Sequence, residues 1–152
     1  MISVTAAGEA DMEVLGQQFA KACNDGGVIY LHGALGAGKT TFVRGFCRGL
    51  GYTGFVRSPT FTLVESYLIE GREVHHFDLY RLTDAEELEF IGVRDYFTPQ
   101  AVCLVEWPER GAGVLPEGDV KLAFTYVPEG RRVDATAGTQ RGRRMLGQIS
   151  VM

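Results

Sequence analysis

A glycine-rich loop that directly follows an apolar run constrains this chain more than any other feature. Residues 28–31 read VIYL, and residues 33–40 read GALGAGKT, which completes the pattern GxxxxGKT. Glycines at these positions let consecutive backbone N–H groups turn inward around phosphate groups, because no Cβ atom blocks positive φ angles. In this pattern the Lys39 ammonium reaches the β- and γ-phosphates, and the Thr40 hydroxyl is offered to Mg²⁺. The loop therefore predicts a site for a nucleoside triphosphate.

The segment after the loop has the spacing of a helix. Its apolar residues recur at intervals of three and four, at Phe42, Val43, Phe46, Cys47 and Leu50. This spacing puts them on one helical face, so the N-terminal amides of the helix would face the phosphates. The residues predicted to contact the nucleotide here are Gly33, Ala34, Leu35, Gly36, Ala37, Gly38, Lys39, Thr40 and Thr41.

Length and composition limit the other possibilities. The 152 residues are 45% hydrophobic and have a formal net charge of −4. These values predict one globular domain over residues 1–152, without the basic field that would hold nucleic acid directly. No apolar run is long enough to span a bilayer and the N-terminus lacks a signal-peptide pattern, so we expect a cytoplasmic protein. The three cysteines, Cys23, Cys47 and Cys103, are predicted to be buried free thiols because their count and spacing fit neither a disulfide framework nor a metal cluster.

Arginines are concentrated in the last quarter of the chain. They stand at Arg131, Arg132, Arg141, Arg143 and Arg144. We interpret them as a solvated, charged tail, and contact with a phosphate, RNA or an acidic partner is the alternative.

Patterning elsewhere predicts a mixed sheet. Apolar spacing over residues 9–23 indicates a helix that ends at residues 24–27, and the apolar run 101–105 is typical of a central strand buried on both faces. Aromatic and β-branched runs predict two hairpins, at 61–69 with 73–77 and at 121–127 with 132–137. We therefore expect a three-layer α/β fold of the P-loop NTPase type, with a mixed, centrally parallel sheet and antiparallel hairpin additions.

A short helix is predicted after residue 82. Thr83 and Glu86 have the spacing of a capping box, with Thr83 as the N-cap and the Glu86 side chain bonding back to its amide. The helix should continue through Ile91 and end at Gly92.

Two carboxylates end predicted strands and are candidates for the chemistry. Glu106 follows the run 101–105, and Asp78 follows residues 74–77. Because Mg²⁺ or its water shell needs an acidic oxygen beside the phosphate loop, we assign Glu106 to the metal together with Thr40. Asp78 is then the candidate that positions or deprotonates the attacking water. The opposite assignment, with Asp78 at the metal and Glu106 at the water, stays open at this point. So does the possibility that Asp78 is only a solvated carboxylate at the end of a strand.

Three further positions are of interest. Thr60 lies between the loop helix and the first hairpin, where nucleotide switches carry a threonine that senses the γ-phosphate, although a plain turn explains it equally well. Trp107 follows Glu106, so it either packs at the strand end or lines the site. His75 and His76 are consecutive in a strand, and we expect one to point to the core and the other to solvent, without a zinc site.

Together these motifs resemble the bacterial TsaE (YjeE) family. The segments that carry the resemblance run in the family's order, at 33–41, 58–64 (SPTFTLV), 76–81 (HFDLYR), 86–89 (EELE) and 105–109 (VEWPE). The resemblance implies a P-loop ATPase of the machinery that installs threonylcarbamoyl on adenosine 37 (t6A) of ANN-decoding tRNAs. Members bind ATP and Mg²⁺, hydrolyse weakly alone and are stimulated by the TsaB–TsaD pair. They are thought to reset that complex, so tRNA would be contacted mainly through it.

The resemblance also implies roles for individual residues. It gives Lys39 the phosphate role, Thr40 and Glu106 the metal role and Asp78 the catalytic role, with Thr60 and Trp107 as further catalytic-site residues. The segment 5–10 and the turn at Gly130 look like the elements on the adenine side. The tail from Gly138 departs most from the family, and Gly142 and Gly147 should weaken the terminal helix expected there.

Two other functions need to be separated from an ATPase. A small-metabolite P-loop kinase would share the loop but would need an acceptor site and usually an arginine-bearing lid, which the segments between the central strands do not show. The second alternative function is a binding module that is controlled by the nucleotide and in which hydrolysis is incidental. A GTPase is disfavoured because the sequence has neither an NKxD motif nor a DxxG switch.

Overall fold

A seven-stranded mixed sheet with helices against both faces forms the fold. The computed structural model describes residues 1–23 and 25–149, so Asn24 of the predicted turn lies outside the described residues. The strands are β1 (Ile2–Ala6), β2 (Gly27–Gly33), β3 (Val64–Ile69), β4 (Arg72–Asp78), β5 (Val102–Glu106), β6 (Val120–Val127) and β7 (Gly130–Ala137). The helices are α1 (Glu9–Ala22), α2 (Lys39–Gly49), α3 (Glu87–Phe90) and α4 (Gln140–Gly147).

The middle of the sheet is parallel and both flanks are antiparallel. The strand order is β1-β7-β6-β2-β5-β4-β3. Strand β2 pairs in parallel with β5 and β6, and β4 pairs in parallel with β5. The β3–β4 and β6–β7 hairpins extend this centre, and β1 adds antiparallel to β7. The predicted fold class is confirmed. The glycine-rich loop follows β2 at the centre of the sheet.

Alternating side chains of the strands feed two hydrophobic clusters, one on each face. The larger cluster joins α1, α2 and α4 to the sheet, with Phe19, Phe42 and Phe46 at most 2% exposed. The smaller cluster lies under α3 and two 3₁₀ turns, at Val93–Tyr96 and Pro108–Gly111. The three cysteines are buried free thiols, as predicted. Burial raises the pKa of Cys47 to about 12, which leaves that thiol unreactive.

Helices α1 and α2 approach closely at two glycines. A Cβ atom on Gly16 would lie 2.7 Å from the Phe46 amide nitrogen, and one on Gly45 would lie 2.5 Å from the Glu13 Cα. Both distances are shorter than any real Cβ contact. The glycines therefore fix the position of α2, whose first turn carries Lys39 and Thr40.

Substitution of Gly45 tests this close contact. We expect Gly45→Ala to lower the free energy of unfolding by about 1–3 kcal/mol, because the methyl group meets backbone that cannot rotate away. Helix propensity alone predicts the opposite sign, a gain of about 1 kcal/mol. Chemical denaturation measures the difference, and Gly147→Ala in α4 is the control, since a Cβ there has no atom within 4 Å. A Gly45→Ala protein as stable as the wild type would contradict the close packing.

Strand β1 and the packing role of Gly142 in α4 were not foreseen from the sequence. The first residues showed no clear pattern, yet residues 2–6 pair with residues 131–135 of β7. The terminal helix forms as α4, and a Cβ on Gly142 would lie 2.6 Å from the Asp119 carbonyl carbon. Glycine is needed there for α4 to approach the sheet, and the Thr139 side chain caps the helix by accepting from the Gly142 amide.

The predicted capping box is shifted by one residue. The Glu87 carboxylate, and not that of Glu86, accepts hydrogen bonds from the Thr83 amide, the Thr83 hydroxyl and the Asp84 amide. These bonds lower the pKa of Glu87, with the Asp84 amide as the largest cause. The helix is accordingly shorter than predicted, although it does end before Gly92, which has a φ of 69°.

The start of the first hairpin and the exposure of its histidines also differ from the predictions. Strand β3 begins at Val64 and not at Phe61, because Leu63 turns back with a φ of 73° and its amide donates to the Pro59 carbonyl. His75 and His76 are both buried, so the expectation that one points to solvent is wrong. The reason is that both faces of β4 are covered: the His75 ring packs against Tyr96, and the His76 ring contacts Glu106 on the opposite face.

The arginines that crowd the end of the sequence are separated in space. Arg131 and Arg132 begin β7, whereas Arg141, Arg143 and Arg144 follow its other end, roughly 20 Å of strand away. Arg141 donates to the carbonyls of Asp25 and Pro99, at 2.5 and 2.8 Å, and so ties two loops together. Arg143 and Arg144 are exposed, as the predicted solvated tail requires. No helix within residues 1–23 and 25–149 has the length and apolar character to cross a membrane.

Candidate nucleotide site

The glycine-rich loop turns from β2 into α2 through backbone conformations that favour glycine. Gly36 and Gly38 have φ angles of 77° and 106°. A Cβ atom on Gly36 would lie 2.9 Å from the Tyr126 hydroxyl, and one on Gly38 would lie 2.9 Å from the end of Met12. The Tyr126 hydroxyl also donates to the Leu35 carbonyl at 2.7 Å and holds the loop from β6. The loop thus has little room for side chains at Gly36 and Gly38.

Lys39 is the first residue of α2, and its ammonium is held inside the loop. Nζ donates to the Gly33 carbonyl at 2.5 Å and lies 4.2 Å from the centre of the Trp107 ring. Burial lowers the pKa of Lys39, and the nearby carboxylates of Glu106 and Asp78 oppose that shift. The ammonium therefore lies between one carbonyl and one aromatic face, with two carboxylates nearby.

The two candidate carboxylates are neighbours across the sheet. Asp78 ends β4 and Glu106 ends β5, and the parallel register pairs them directly. Both side chains are buried, at 6% and 4% exposure. The Thr40 hydroxyl donates to Glu106 Oε2 at 3.3 Å, so the residues assigned to the metal lie together. His76 Nε2 contacts the same oxygen at 2.7 Å.

Asp78 is connected to the segment that precedes β3. Its Oδ2 accepts from the Thr60 hydroxyl at 3.0 Å, and its Oδ1 accepts from the Tyr80 amide at 3.0 Å. The Ser58 and Thr60 hydroxyls are 2.9 Å apart. Asp78 is therefore not a merely solvated strand end, and the Ser58–Thr60 segment lies over it.

Trp107 has a strained backbone at the end of β5. Its φ of 57° and ψ of 49° are left-handed, which costs a residue other than glycine about 1–3 kcal/mol. Its ring packs against Tyr80, with 5.1 Å between ring centres, and beneath the Lys39 ammonium. The turn thus places the ring between Lys39 and the edge of the smaller hydrophobic cluster.

Two adjoining clefts lie over these residues. The first, of about 330 Å³, is lined by Glu9, Leu35, Gly36, Gly38, Lys39, Thr40, Thr41, Ser58, Thr60, Asp78 and Glu106. The second, of about 260 Å³, is lined by residues 6–9, Met12, Gly36, Gly38, Thr41, Gly130 and Arg131. Of the predicted site residues, Gly33, Ala34, Ala37 and Trp107 line neither cleft, and Ala37 is fully buried in the core. The others meet at the carboxyl edge of the parallel strands, which is where open α/β sheets bind ligands.

Comparison with known proteins identifies the family. A family model described as threonylcarbamoyl adenosine biosynthesis protein TsaE matches residues 6–133. The chain belongs to the TsaE family. The resemblance inferred from the motifs is thereby confirmed.

Curated TsaE relatives and a solved structure agree with this assignment. A tRNA threonylcarbamoyladenosine biosynthesis protein TsaE from Haemophilus influenzae is 50% identical over 123 residues, which cover 81% of this chain and 78% of the relative. The protein of the same name from Bacillus subtilis is 41% identical over 119 residues, 72% of this chain and 74% of that one. The crystal structure of YdiB from Bacillus subtilis superposes with a TM-score of 0.83 and 29% identity over 97% of this chain and 92% of that one.

Thr40 and Glu106 of this TsaE chain carry oxygen ligands of the kind that Mg²⁺ prefers. A hydroxyl and a carboxylate are hard oxygen ligands, and Mg²⁺ usually binds one or two such groups, several waters and the phosphates. Within residues 1–23 and 25–149 no cluster of three or more His, Cys, Asp and Glu could hold a metal by itself.

Sequence reasoning missed three residues that this TsaE structure brings to the site. They are His76, Tyr126 and Arg131. Glu9 belongs to the segment 5–10 that the resemblance gave to the adenine side, and it lines both clefts. Tyr126 reaches the loop from β6, and no local pattern marks it. A signal existed for His76, since it stands two residues before Asp78 and so lies on the same face of its strand.

Proposed function

We propose that this chain is the ATP-binding, Mg²⁺-dependent ATPase of the t6A machinery and that it acts on the TsaB–TsaD complex. The observation that carries the proposal is the convergence of Lys39, Thr40, Asp78 and Glu106 in one cleft beside the glycine-rich loop. This is the set of groups that phosphoryl transfer to water requires: a phosphate cradle, a metal shell and a carboxylate over the reacting phosphate.

Lys39 and the loop amides bind the phosphates. The ammonium leaves the Gly33 carbonyl for the β- and γ-phosphates, so that a bond to a neutral acceptor is replaced by one to a charged acceptor. Trp107 stays beneath the lysine side chain and keeps the ammonium directed into the cleft. Gly36 and Gly38 allow the amides of the loop to approach the oxygens closely.

Thr40 and Glu106 would hold Mg²⁺ through the hydroxyl and the carboxylate oxygens. When bound, Mg²⁺ would supply positive charge that offsets the negative charge developing on the phosphate. The Glu106 carboxylate already accepts from the Thr40 hydroxyl, so little rearrangement is needed to present both oxygens on one side of the cleft.

Asp78 and Thr60 act on the attacking water. The Asp78 carboxylate lies in the cleft with one oxygen fixed by the Tyr80 amide and the other within reach of the Thr60 hydroxyl. A carboxylate in this position orients a water and takes its proton as the bond to phosphorus forms. Thr60 adds a hydroxyl that responds to the γ-phosphate, since it belongs to the link between α2 and β3 rather than to the rigid sheet.

The pathway follows from the family. The relatives from Haemophilus influenzae and Bacillus subtilis are named tRNA threonylcarbamoyladenosine biosynthesis proteins, which supports a role in t6A formation. We propose that hydrolysis resets TsaB–TsaD between rounds and that tRNA is contacted mainly through that complex. A net charge of −4 agrees with a protein that does not hold tRNA by itself.

The test is hydrolysis of ATP by the purified protein, with and without the TsaB–TsaD pair, alongside reconstituted modification of tRNA. We expect slow hydrolysis that depends on Mg²⁺ and rises when the pair is added, and we expect modification over many rounds to require this chain. Labelled γ-phosphate should appear as inorganic phosphate. Its appearance on a small metabolite would support a kinase instead, and no stimulation together with no requirement in modification would overturn the proposal.

A further inference from the structure

The imidazole of His76 contacts the site from inside the protein. His76 lies on β4 with no solvent exposure, and its Nε2 is 2.7 Å from Glu106 Oε2. Its other ring nitrogen, Nδ1, has no hydrogen-bond partner in the described part of the chain. Among residues 1–23 and 25–149, Glu106 is therefore the only polar partner of this ring.

The strand register explains how the contact arises. His76 and Asp78 lie on the same face of β4, and Leu104 and Glu106 lie on the same face of β5. Because His76 pairs with Leu104 and Asp78 with Glu106, His76 sits one step deeper than the two carboxylates. From there the ring can reach Glu106 only diagonally, along the sheet and toward the cleft.

A ring nitrogen without a partner makes this histidine costly as a core residue. A buried acceptor left unpaired costs about 1–3 kcal/mol, and an apolar side chain of similar size would avoid that cost. The neighbouring His75 differs, since its Nδ1 is 2.7 Å from the Ser66 hydroxyl and its ring packs edge-on against Tyr96 on the opposite face. Packing alone thus explains His75 better than it explains His76.

We propose that His76 is a positioning residue for Glu106. Its Nε2–H donates to Oε2 and fixes the rotation of the carboxylate, so that Glu106 faces Thr40 and the metal position instead of Asp78. This inference rests on the proposed function, because it concerns the carboxylate assigned to Mg²⁺. Hydrogen bonds that orient a metal ligand typically change metal affinity by about 10- to 100-fold when they are removed.

The test compares ADP affinity with and without Mg²⁺. The dissociation constant for ADP without Mg²⁺, divided by the one with Mg²⁺, measures how strongly the site couples metal to nucleotide. We expect His76→Leu to lower this ratio by about 10- to 100-fold and to change the Mg²⁺-free affinity little. His76→Gln should restore most of the ratio, since its side-chain amide nitrogen reaches about as far as Nε2 and still donates. His75→Leu is the matched control on the opposite face and should keep the wild-type ratio.

Each outcome decides between positioning and packing. A His76→Leu protein that loses stability but keeps the wild-type ratio would overturn the inference, as would equal losses in His76→Leu and His76→Gln. If His76→Leu does not fold, nitrogen NMR of the wild-type ring decides: a proton on Nε2 supports the inference, and a proton on Nδ1 overturns it. A wild-type protein whose ADP affinity does not respond to Mg²⁺ would instead contradict the proposed function.

Discussion

We expect Asp78→Asn to lower the rate of ATP hydrolysis by roughly 10²- to 10⁴-fold, the contribution typical of a positioned acid or base, while ATP affinity stays nearly unchanged. Asparagine keeps the size of the side chain and can still accept from the Tyr80 amide. The Thr60 hydroxyl can rotate to accept from the new amide, so the surrounding hydrogen bonds survive. What is lost is the charge that takes a proton from water. Single-turnover hydrolysis and equilibrium binding of ATP separate the two effects.

The same variant resolves the assignment of the two carboxylates. If Asp78 belonged to the metal and Glu106 to the water, Asp78→Asn would weaken the Mg²⁺-dependent part of ATP binding as well as turnover. Glu73→Gln is the matched control, because it removes a carboxylate from the same strand at a side chain that is 60% exposed. Unchanged turnover in Asp78→Asn would exclude a catalytic role for that carboxylate.

The parts of this protein that are local in sequence were predictable. The loop, α1, α2 and the central strand β5 follow from spacing that one segment carries by itself, and the two hairpins follow from two adjacent segments. The pairing of Asp78 with Glu106 was also within reach, since both end strands of a centrally parallel sheet. Strand β1 was not, because its pairing partner lies some 130 residues later and a five-residue edge strand has little pattern of its own.

Other features depended on contacts that a sequence does not display. Helix propensity assigns Gly142 a cost, whereas the approach of α4 to Asp119 requires it. The capping carboxylate belongs to Glu87 because the chain turns one residue later than the motif assumes. The burial of both His75 and His76 follows from segments that cover each face of the sheet, which periodicity within one strand cannot reveal. The candidate site was thus predicted as a set of residue types, and its internal hydrogen bonds were not.

We expect Lys39→Met to lower ATP hydrolysis by roughly 10²- to 10³-fold, as loss of one preorganised charge-stabilising donor does elsewhere. Methionine has a similar length and an apolar body, so contact with the Trp107 ring is kept while the charge and the donors are removed. ATP affinity should fall roughly 10- to 150-fold, the effect of one hydrogen bond to a charged group. Affinity for AMP should change much less, because Lys39 is proposed to reach only the β- and γ-phosphates.

This contrast between ATP and AMP separates phosphate binding from a structural role. Lys39 Nζ also donates to the Gly33 carbonyl, so its removal could loosen the loop itself. A loosened loop would weaken the binding of ATP, ADP and AMP to a similar degree. Loss of a phosphate contact would weaken the binding of ATP and ADP selectively. Lys21→Met, at an exposed position in the last turn of α1, controls for the change in net charge. Equal losses for ATP and AMP would assign Lys39 to the architecture of the loop and not to the phosphates.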